Sequence, residues 1–343
     1  MADELARSRG VASPRPGAGT RRRRIDAKRA ALAFVVVALA AVPFSYWTLT
    51  TYSYTLQLMT TGFMWIALAS SWNIVGGYAG YISLGHNVFL AVGAYFAGGV
   101  FAYMGVSPFV TAPLAGLLCV ALGTVVGLIT LRTRGPAFII STIALMLIAR
   151  ILFDNWDYLG GSNGLSLPLL DLDIGLIKVP FYYGMLLCAM GAVYLSYRVR
   201  HSKFGLGLRA IAEDEVKAEV AGVNTRAYKV AAFALSGFFI GAAGALWGYS
   251  LFYLRPEAFL TLAVAADMVL MAIIGGRATV AGPVIGAVLI VAFNEIAVSE
   301  LGSSELNLAL TGVLLIAALL FFPLGIVGTL RQKGRLPRVL DWD

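Results

Sequence analysis

Charge is what this sequence has least of. Only 13% of its 343 residues are Asp, Glu, Lys or Arg, against 59% apolar, whereas a soluble domain carries about 25% charged residues. A globule of this length would lack the polar side chains to cover its surface, so the composition excludes an ordinary soluble enzyme and a disordered chain. Cysteine is nearly absent. Cys119 and Cys188 are the two present, both inside apolar runs, which argues against a disulfide framework and a Cys-based metal site. Histidine also occurs twice, at His86 and His201, too few for a His-ligated cluster. The phosphate-cradling pattern G-x-x-x-x-G-K-S/T is missing, so the chain is not expected to hydrolyse nucleotide. H-E-x-x-H and C-x-x-C are missing too. No catalytic residue, metal site or cofactor is expected in this chain.

What is present is a succession of long apolar runs. A spanning helix needs about 20 predominantly apolar residues at 1.5 Å each to cross roughly 30 Å of hydrocarbon. That rule predicts an all-α polytopic bundle of about 8 to 10 spans, with helices near 30–47, 54–75, 82–104, 108–131, 136–153, 179–198, 229–251 and 308–330. The run 262–297 is interrupted at Gly275-Gly276-Arg277 and again at Gly282-Pro283, which suits two shorter helices better than one, because Gly and Pro weaken helix interiors.

Charge sign sets the expected topology. Lys and Arg number 26 against 18 Asp and Glu, and they sit between the apolar runs, as the positive-inside rule requires. The loop 198–229 holds seven basic residues and the tail 331–343 four. Both are expected to be cytoplasmic, together with residues 1–29, a basic segment without apolar periodicity that reads as a disordered tail. The loop 154–178 carries four Asp against one Lys and is expected outside. Ten crossings over 30–330 satisfy every charged loop, and the run at 30–47 reads as a retained helix rather than a cleaved signal.

Two kinds of candidate residue stand out. The stretch 73–87 packs four glycines and several hydrogen-bonding side chains between apolar runs, and irregular backbone at membrane depth must be buried or line a cavity. Its Asn73, Ser83, His86 and Asn87 are candidates for a pathway or gate, with a close-packed turn at the inner face as the alternative; His86 and Asn87 are expected on the first turns of a helix. Asp267, six residues into the 262–275 helix, is costly in hydrocarbon and needs a partner or water. It could line a pathway, meet a cation of another chain, pair with Arg150 or Arg255, or lie near the outer interface. Arg150 and Glu295, near helix ends, are expected to reach the interface. In the basic loop, residues 207–224 read as one short amphipathic helix with Ile211, Glu215, Ala218 and Glu219 on a face and Gly222 as its cap. Gly-rich breaks at 76–80 and 275–276 are a faint internal echo, as in transporters built from repeats.

Seven ordered blocks carry a family resemblance: Gly76-Gly-Tyr-Ala-Gly-Tyr-Ile-Ser-Leu-Gly-His86, Leu131-Arg-Thr-Arg-Gly-Pro-Ala-Phe138, Gly160-Gly-Ser-Asn-Gly164, Phe204-Gly-Leu-Gly-Leu-Arg-Ala-Ile-Ala-Glu-Asp-Glu215, Ala221-Gly-Val-Asn-Thr-Arg-Ala-Tyr-Lys229, Gly275-Gly-Arg-Ala-Thr-Val-Ala-Gly-Pro283 and Phe321-Phe-Pro-Leu-Gly-Ile-Val-Gly328. Over residues 50–330 the sequence resembles the LivM-type permease of branched-chain amino-acid ABC importers. The resemblance implies alternating access driven by two separate ATPase subunits that carry the ATP, a second homologous permease, an external solute-binding protein and a prokaryotic inner membrane. It places the coupling helix at Glu213–Gly222, with Arg209, Glu213, Glu215, Glu219 and Gly222 as candidates for contact with the ATPase. Position 216 is Val where many importers have Glu. Relatives also carry urea, short amides and other small organic solutes. An ion-coupled secondary transporter is a rival class, for which Asp267 alone would be a deep enough carboxylate.

Overall fold

The computed structural model describes residues 33–47, 52–168, 178–301, 312, 325–334 and 342. Contacts divide the chain into two units, Met1–Leu49 with Pro337–Val339, and Thr50–Leu336 with Leu340–Asp343. The described part of the first is an apolar helix, α1, over Ala33–Phe44. Its end tightens into a 3-10 turn at Val42–Trp47, where Pro43 removes a backbone donor.

The second unit is almost entirely helical. It contains α2 (Tyr52–Asn73), α3 (Asn87–Met104), α4 (Pro108–Thr130), α5 (Pro136–Asp154), α6 (Lys178–Arg200), α7 (Lys203–Glu213) and α8 (Glu215–Val220). Then follow α9 (Thr225–Ser250), the single turn α10 (Pro256–Phe259), α11 (Leu262–Gly276), α12 (Ala281–Leu301) and α13 (Gly325–Gln332). Two-residue strands β1 (Leu165–Ser166) and β2 (Tyr253–Leu254) pair antiparallel and tie the α5–α6 connection to the end of α9. Among the described residues seven helical stretches are long and apolar enough to cross a membrane, with α1 and α12 as shorter apolar helices. This is an all-α polytopic bundle. The expected tail 1–29 and most of the expected helix 308–330 lie outside the described residues.

Helix α9 occupies the centre and is buried along most of its length. Small residues let α3 approach it closely: a Cβ on Gly93 would lie 2.0 Å from the Gly241 carbonyl oxygen, and one on Gly244 2.2 Å from that of Leu90. This is the packing expected where lipid removes the hydrophobic drive between helices and van der Waals fit must replace it. The outward faces of α4 and α5 expose Leu114, Leu117, Val125, Ile140, Ile148 and Ile151, apolar surface suited to lipid.

The structure corrects the expected boundaries in four places. The helix expected from residue 82 starts at Asn87, and 79–86 is irregular. Helix α9 begins four residues before the expected 229, because Asn224 Oδ1 caps it by accepting from the Ala227 N–H at 3.0 Å. The run 262–297 breaks once, at 277–280; Pro283 falls in the first turn of α12, where its missing N–H is tolerated. The helix expected over 207–224 is two helices, split at Asp214, whose backbone is extended (φ −161°, ψ 108°).

Candidate coupling and pathway site

Helix α2 ends in a π-turn, Ile74–Tyr78, from which the chain turns back into the bundle. Gly77 is required there: a Cβ would meet Asn73 Oδ1 at 1.9 Å. The returning segment is held by its neighbours. The Tyr81 N–H donates to the Val75 carbonyl (3.2 Å), Trp72 Nε1 donates to the Ser83 carbonyl (2.8 Å), and the Leu84 N–H donates to Thr142 Oγ1 (3.1 Å). Thr142 lies six residues into α5, so the segment reaches about 9 Å into the bundle at 1.5 Å per residue. Ser83, His86 and Asn87 are all buried.

His86 and Asn87 stand at the start of α3, as the sequence leads one to expect. Ser236 Oγ spends its proton on the Phe233 carbonyl (2.8 Å), so the 3.0 Å contact to His86 Nε2 needs Nε2–H as donor. Nδ1 is then a bare acceptor, and it has no partner. The ring meets Phe89 and Phe233 edge-on. Asn87 Nδ2 donates to the carbonyls of Phe259 (3.2 Å) and Thr261 (3.0 Å), fixing where α11 begins; its Oδ1 is unpartnered.

Asn73 joins the two Gly-rich breaks. Its Oδ1 accepts from the Ala278 N–H (3.1 Å) and its Nδ2 donates to the Thr279 carbonyl (2.8 Å). Arg200 at the end of α6 donates to the Ala278 carbonyl. The segments that looked like separate echoes in sequence are thus one node in space. Asp267 is not part of it. It lies half-buried on an incompletely covered face of α11 with Ala263, Ala266, Leu270, Ile273 and Arg277, and it makes no hydrogen bond or ion pair with another described residue. Arg150 and Arg255 do not pair with it: Arg150 meets Asp154 and Glu257, and Arg255 lies over the Tyr253 ring. Glu295 accepts from Tyr54 Oη.

The basic loop is built from caps. Ser202 Oγ accepts from the Gly205 N–H at the start of α7, and Asp214 Oδ1 from the N–H groups of Val216 and Lys217 at the start of α8. Those bonds and the Lys217 ammonium hold the Asp214 carboxyl below its usual range. Helix α8 ends in a Schellman motif: the Gly222 N–H reaches the Glu219 carbonyl (2.9 Å) and the Val223 N–H that of Ala218 (3.0 Å), with Gly222 at φ +87°. Arg209, Glu213 and Glu219 are exposed on this pair of helices.

Glu215 faces the other way. Its side chain is 10% exposed and its Oε1 lies 2.6 Å from Lys229 Nζ, itself 4% exposed. Oε2 accepts from Tyr81 Oη and lies 3.3 Å from Arg134 Nε. Lys229 uses its other two donors on Tyr81 Oη (3.2 Å) and the Leu131 carbonyl (3.3 Å), so this buried ammonium is fully satisfied. Burial pushes the Glu215 carboxyl up, but hydrogen bonds from Lys229 and Tyr81 and the charges of Lys229 and Arg134 outweigh it and leave it below its usual range. Burial, then the bond to Glu215, raises the Tyr81 phenol. Tyr81, Arg134, Glu215 and Arg277 line a cleft of about 440 Å³.

Of the sequence candidates, the structure gathers Ser83, His86 and Asn87 in one buried segment and ties Asn73 to the break at 278–279. It separates Glu215 from Arg209, Glu213 and Glu219. Tyr81, Arg134, Lys229 and Arg200 were not singled out in the sequence. The signal that could have found Lys229 is a lone cation just inside an apolar helix.

A polytopic helical bundle with buried irregular backbone defines a multi-pass membrane protein. The family described as "Branched-chain amino acid transport system / permease component" matches residues 54–319, and the chain belongs to it. The permease protein LivM of the high-affinity branched-chain amino acid transport system of Escherichia coli K12 is 28% identical over 309 residues, covering 82% of this chain and 72% of the relative. LivH, the permease protein of the same-named system in Salmonella typhimurium LT2, is 25% identical over 289 residues, 79% and 93% of the two chains. The guanosine ABC transporter permease NupP of Bacillus subtilis 168 is 25% identical over 195 residues, 55% and 56%. No solved structure matches. The chain is a multi-pass permease component of an ABC importer, and its role is transport rather than catalysis.

Proposed function

We propose that this chain translocates branched-chain or related amino acids across a prokaryotic inner membrane by alternating access. Its work is paired with a second, homologous permease, and an external binding protein supplies the solute. Two ATPase subunits carry the ATP and drive the cycle; this chain holds no cofactor. The observation that carries the reading is family membership over 54–319, joined to likeness to both a LivM and a LivH permease. Because one chain resembles two components of the same named system, a pair of related permeases is the natural assembly. The basic loop, with both termini, faces the cytoplasm. There Arg209, Glu213 and Glu219 present α7 and α8 to an ATPase, with Gly222 fixing where α8 stops. Asn73, Ser83, His86, Asn87 and Asp267 border the solute's route, the unpartnered Asp267, His86 Nδ1 and Asn87 Oδ1 being free to meet water or solute.

A nucleoside is the second reading, favoured by the guanosine permease among the relatives; urea and short amides are further solutes to try. The deciding experiment reconstitutes the permease pair with its ATPases and binding protein in liposomes and follows labelled leucine, valine, guanosine and urea. ATP-dependent uptake of leucine or valine is expected. Uptake of guanosine alone would overturn the substrate, and uptake driven by a proton gradient without ATP would overturn the class.

A further inference from the structure

We infer that the buried Glu215–Lys229 pair, with Tyr81, is the link through which movement of α8 reaches the irregular segment 79–86. This rests on the proposed reading of the α7–α8 loop as the surface an ATPase moves. Among the described residues that surface has no other direct polar hold on the segment. Arg209 bonds only to carbonyls of its own loop, those of Gly205 and Arg200, and Glu213 and Glu219 point to solvent. Glu215 alone carries a carboxylate from α8 inward, where it holds groups from three elements: Tyr81 in the segment, Arg134 in the α4–α5 turn and Lys229 on α9.

The burial of the pair makes it a link rather than a brush contact. Separating the pair would leave the Lys229 ammonium, 4% exposed, buried without its counter-charge, so displacement of α8 carries Tyr81 with it. From Tyr81 the motion has two outlets. Its backbone N–H is bonded to Val75 in the π-turn, and its ring packs edge-on against Phe138 of α5 at 5.3 Å. The next residue but one, Ser83, is held by Trp72, so the segment receives the pull at one end and turns against a fixed point. Gly80, at φ +78°, gives the adjoining backbone its pivot. Lys229 and Tyr81 are positioning residues: nothing requires either to touch solute or nucleotide.

The test uses the whole transporter in liposomes and reads solute moved per ATP hydrolysed. For Lys229→Met the ATPases are expected to co-purify at wild-type stoichiometry and to hydrolyse ATP. Solute per ATP is expected to fall about ten-fold, within the range by which residues along coupling networks act. Exchanging the charges, Glu215→Lys with Lys229→Glu, in an Arg134→Gln background that removes the cation otherwise facing position 215, is expected to recover a substantial part of the ratio. An unchanged ratio in Lys229→Met would overturn the link; hydrolysis and uptake falling in the same proportion would reduce the pair to a structural role and overturn it equally. Should Lys229→Met fail to accumulate, Tyr81→Phe removes one hydroxyl and keeps the ring. A fall of about two- to five-fold is expected there, and an unchanged ratio counts against the link. The underlying reading has its own control. Glu213→Lys with Glu219→Lys alters the exposed face alone; if ATPase binding and uptake survive it intact, the docking role of the loop fails whatever Lys229→Met shows.

Discussion

The two ends of the bundle each carry a cluster of charges that bridges distant elements, and they are built alike but buried differently. At one end Arg150 of α5 meets Asp154 (3.6 Å) and Glu257 of α10 (3.2 Å), with side-chain exposures of 35%, 31% and 67%. At the other, Glu215 meets Lys229 at 2.6 Å with exposures of 10% and 4%. In the first cluster water competes with each ion, and the energy gained is small. In the second, every donor of the buried ammonium is used, and loss of Glu215 strands it without a counter-charge. Similar residue types therefore make a solvated fringe at one end and a stiff joint at the other. Burial, more than the count of ion pairs, decides what each cluster contributes to stability.

The largest effect that would separate the ends is the loss of Glu215. Glu215→Gln leaves the Lys229 ammonium buried without its counter-charge, for which about 3–5 kcal/mol of destabilisation is expected, read as a lowered unfolding midpoint of the detergent-solubilised permease. The pH dependence has a definite sign. The Glu215 carboxyl sits below its ordinary value of 4.5 in the folded chain, so its contribution is fully present above pH 4.5 and is lost as the pH falls from there through the depressed folded value. The gap in stability between wild type and Glu215→Gln is expected to be constant from pH 8 to about pH 5 and to close below 4.5. A gap that closed already near neutrality would show that the pair is not held in a dry site.

A smaller effect is expected at Asn73, which is neutral but equally buried. Asn73→Ala leaves the Ala278 N–H and the Thr279 carbonyl without their partner, and an unsatisfied buried group costs about 1–3 kcal/mol. Asn73→Asp sharpens the comparison: it keeps an acceptor for Ala278 but sets an oxygen against the Thr279 carbonyl, so it is expected to be the worse of the two. If Asn73→Ala unfolds at the wild-type midpoint, the joining of the two Gly-rich breaks contributes nothing to stability.

Much of this architecture was legible in the residues. Apolar runs and charged loops mark the spans, because hydrocarbon thickness and the handling of Lys and Arg act on composition directly. Gly222 reads as a cap because few other residues tolerate its backbone. Three things were illegible, each for a physical reason. Tyr81-Ile82-Ser83-Leu84 is apolar enough to pass for helix, so the irregular stretch expected over 73–87 overlaps the helix expected from 82, and the bonds with Trp72 and Thr142 decide between them. Asp214 counts as one more residue in a helical period, yet as a cap it restarts the register; Ile211 and Ala218 are buried as the period requires, Glu215 turns inward, and Glu219 is exposed. Lys229 belongs to an apolar run by position and to the loop by chemistry. Its partners Tyr81 and Glu215 lie 148 and 14 residues away along the chain, and hydrophobic spacing says nothing about such long-range pairing.

The smallest effect is expected at the solvated end, and it tests the comparison from the other side. Arg150→Met removes both of its ion pairs, yet exposed pairs contribute about 0–1 kcal/mol and are screened by salt. The methionine also keeps much of the arginine's aliphatic stem. The expected outcome is an unfolding midpoint within that margin of wild type, a difference that shrinks further in high salt, and unchanged uptake per ATP. A loss comparable to that at Glu215, in the isolated permease and insensitive to salt, would mean that the exposure of Arg150 and Glu257 does not govern their energetics, and the contrast between the two ends would fall. A loss seen only in the assembled transporter would instead mean that another subunit covers this face and turns the fringe into a second buried joint.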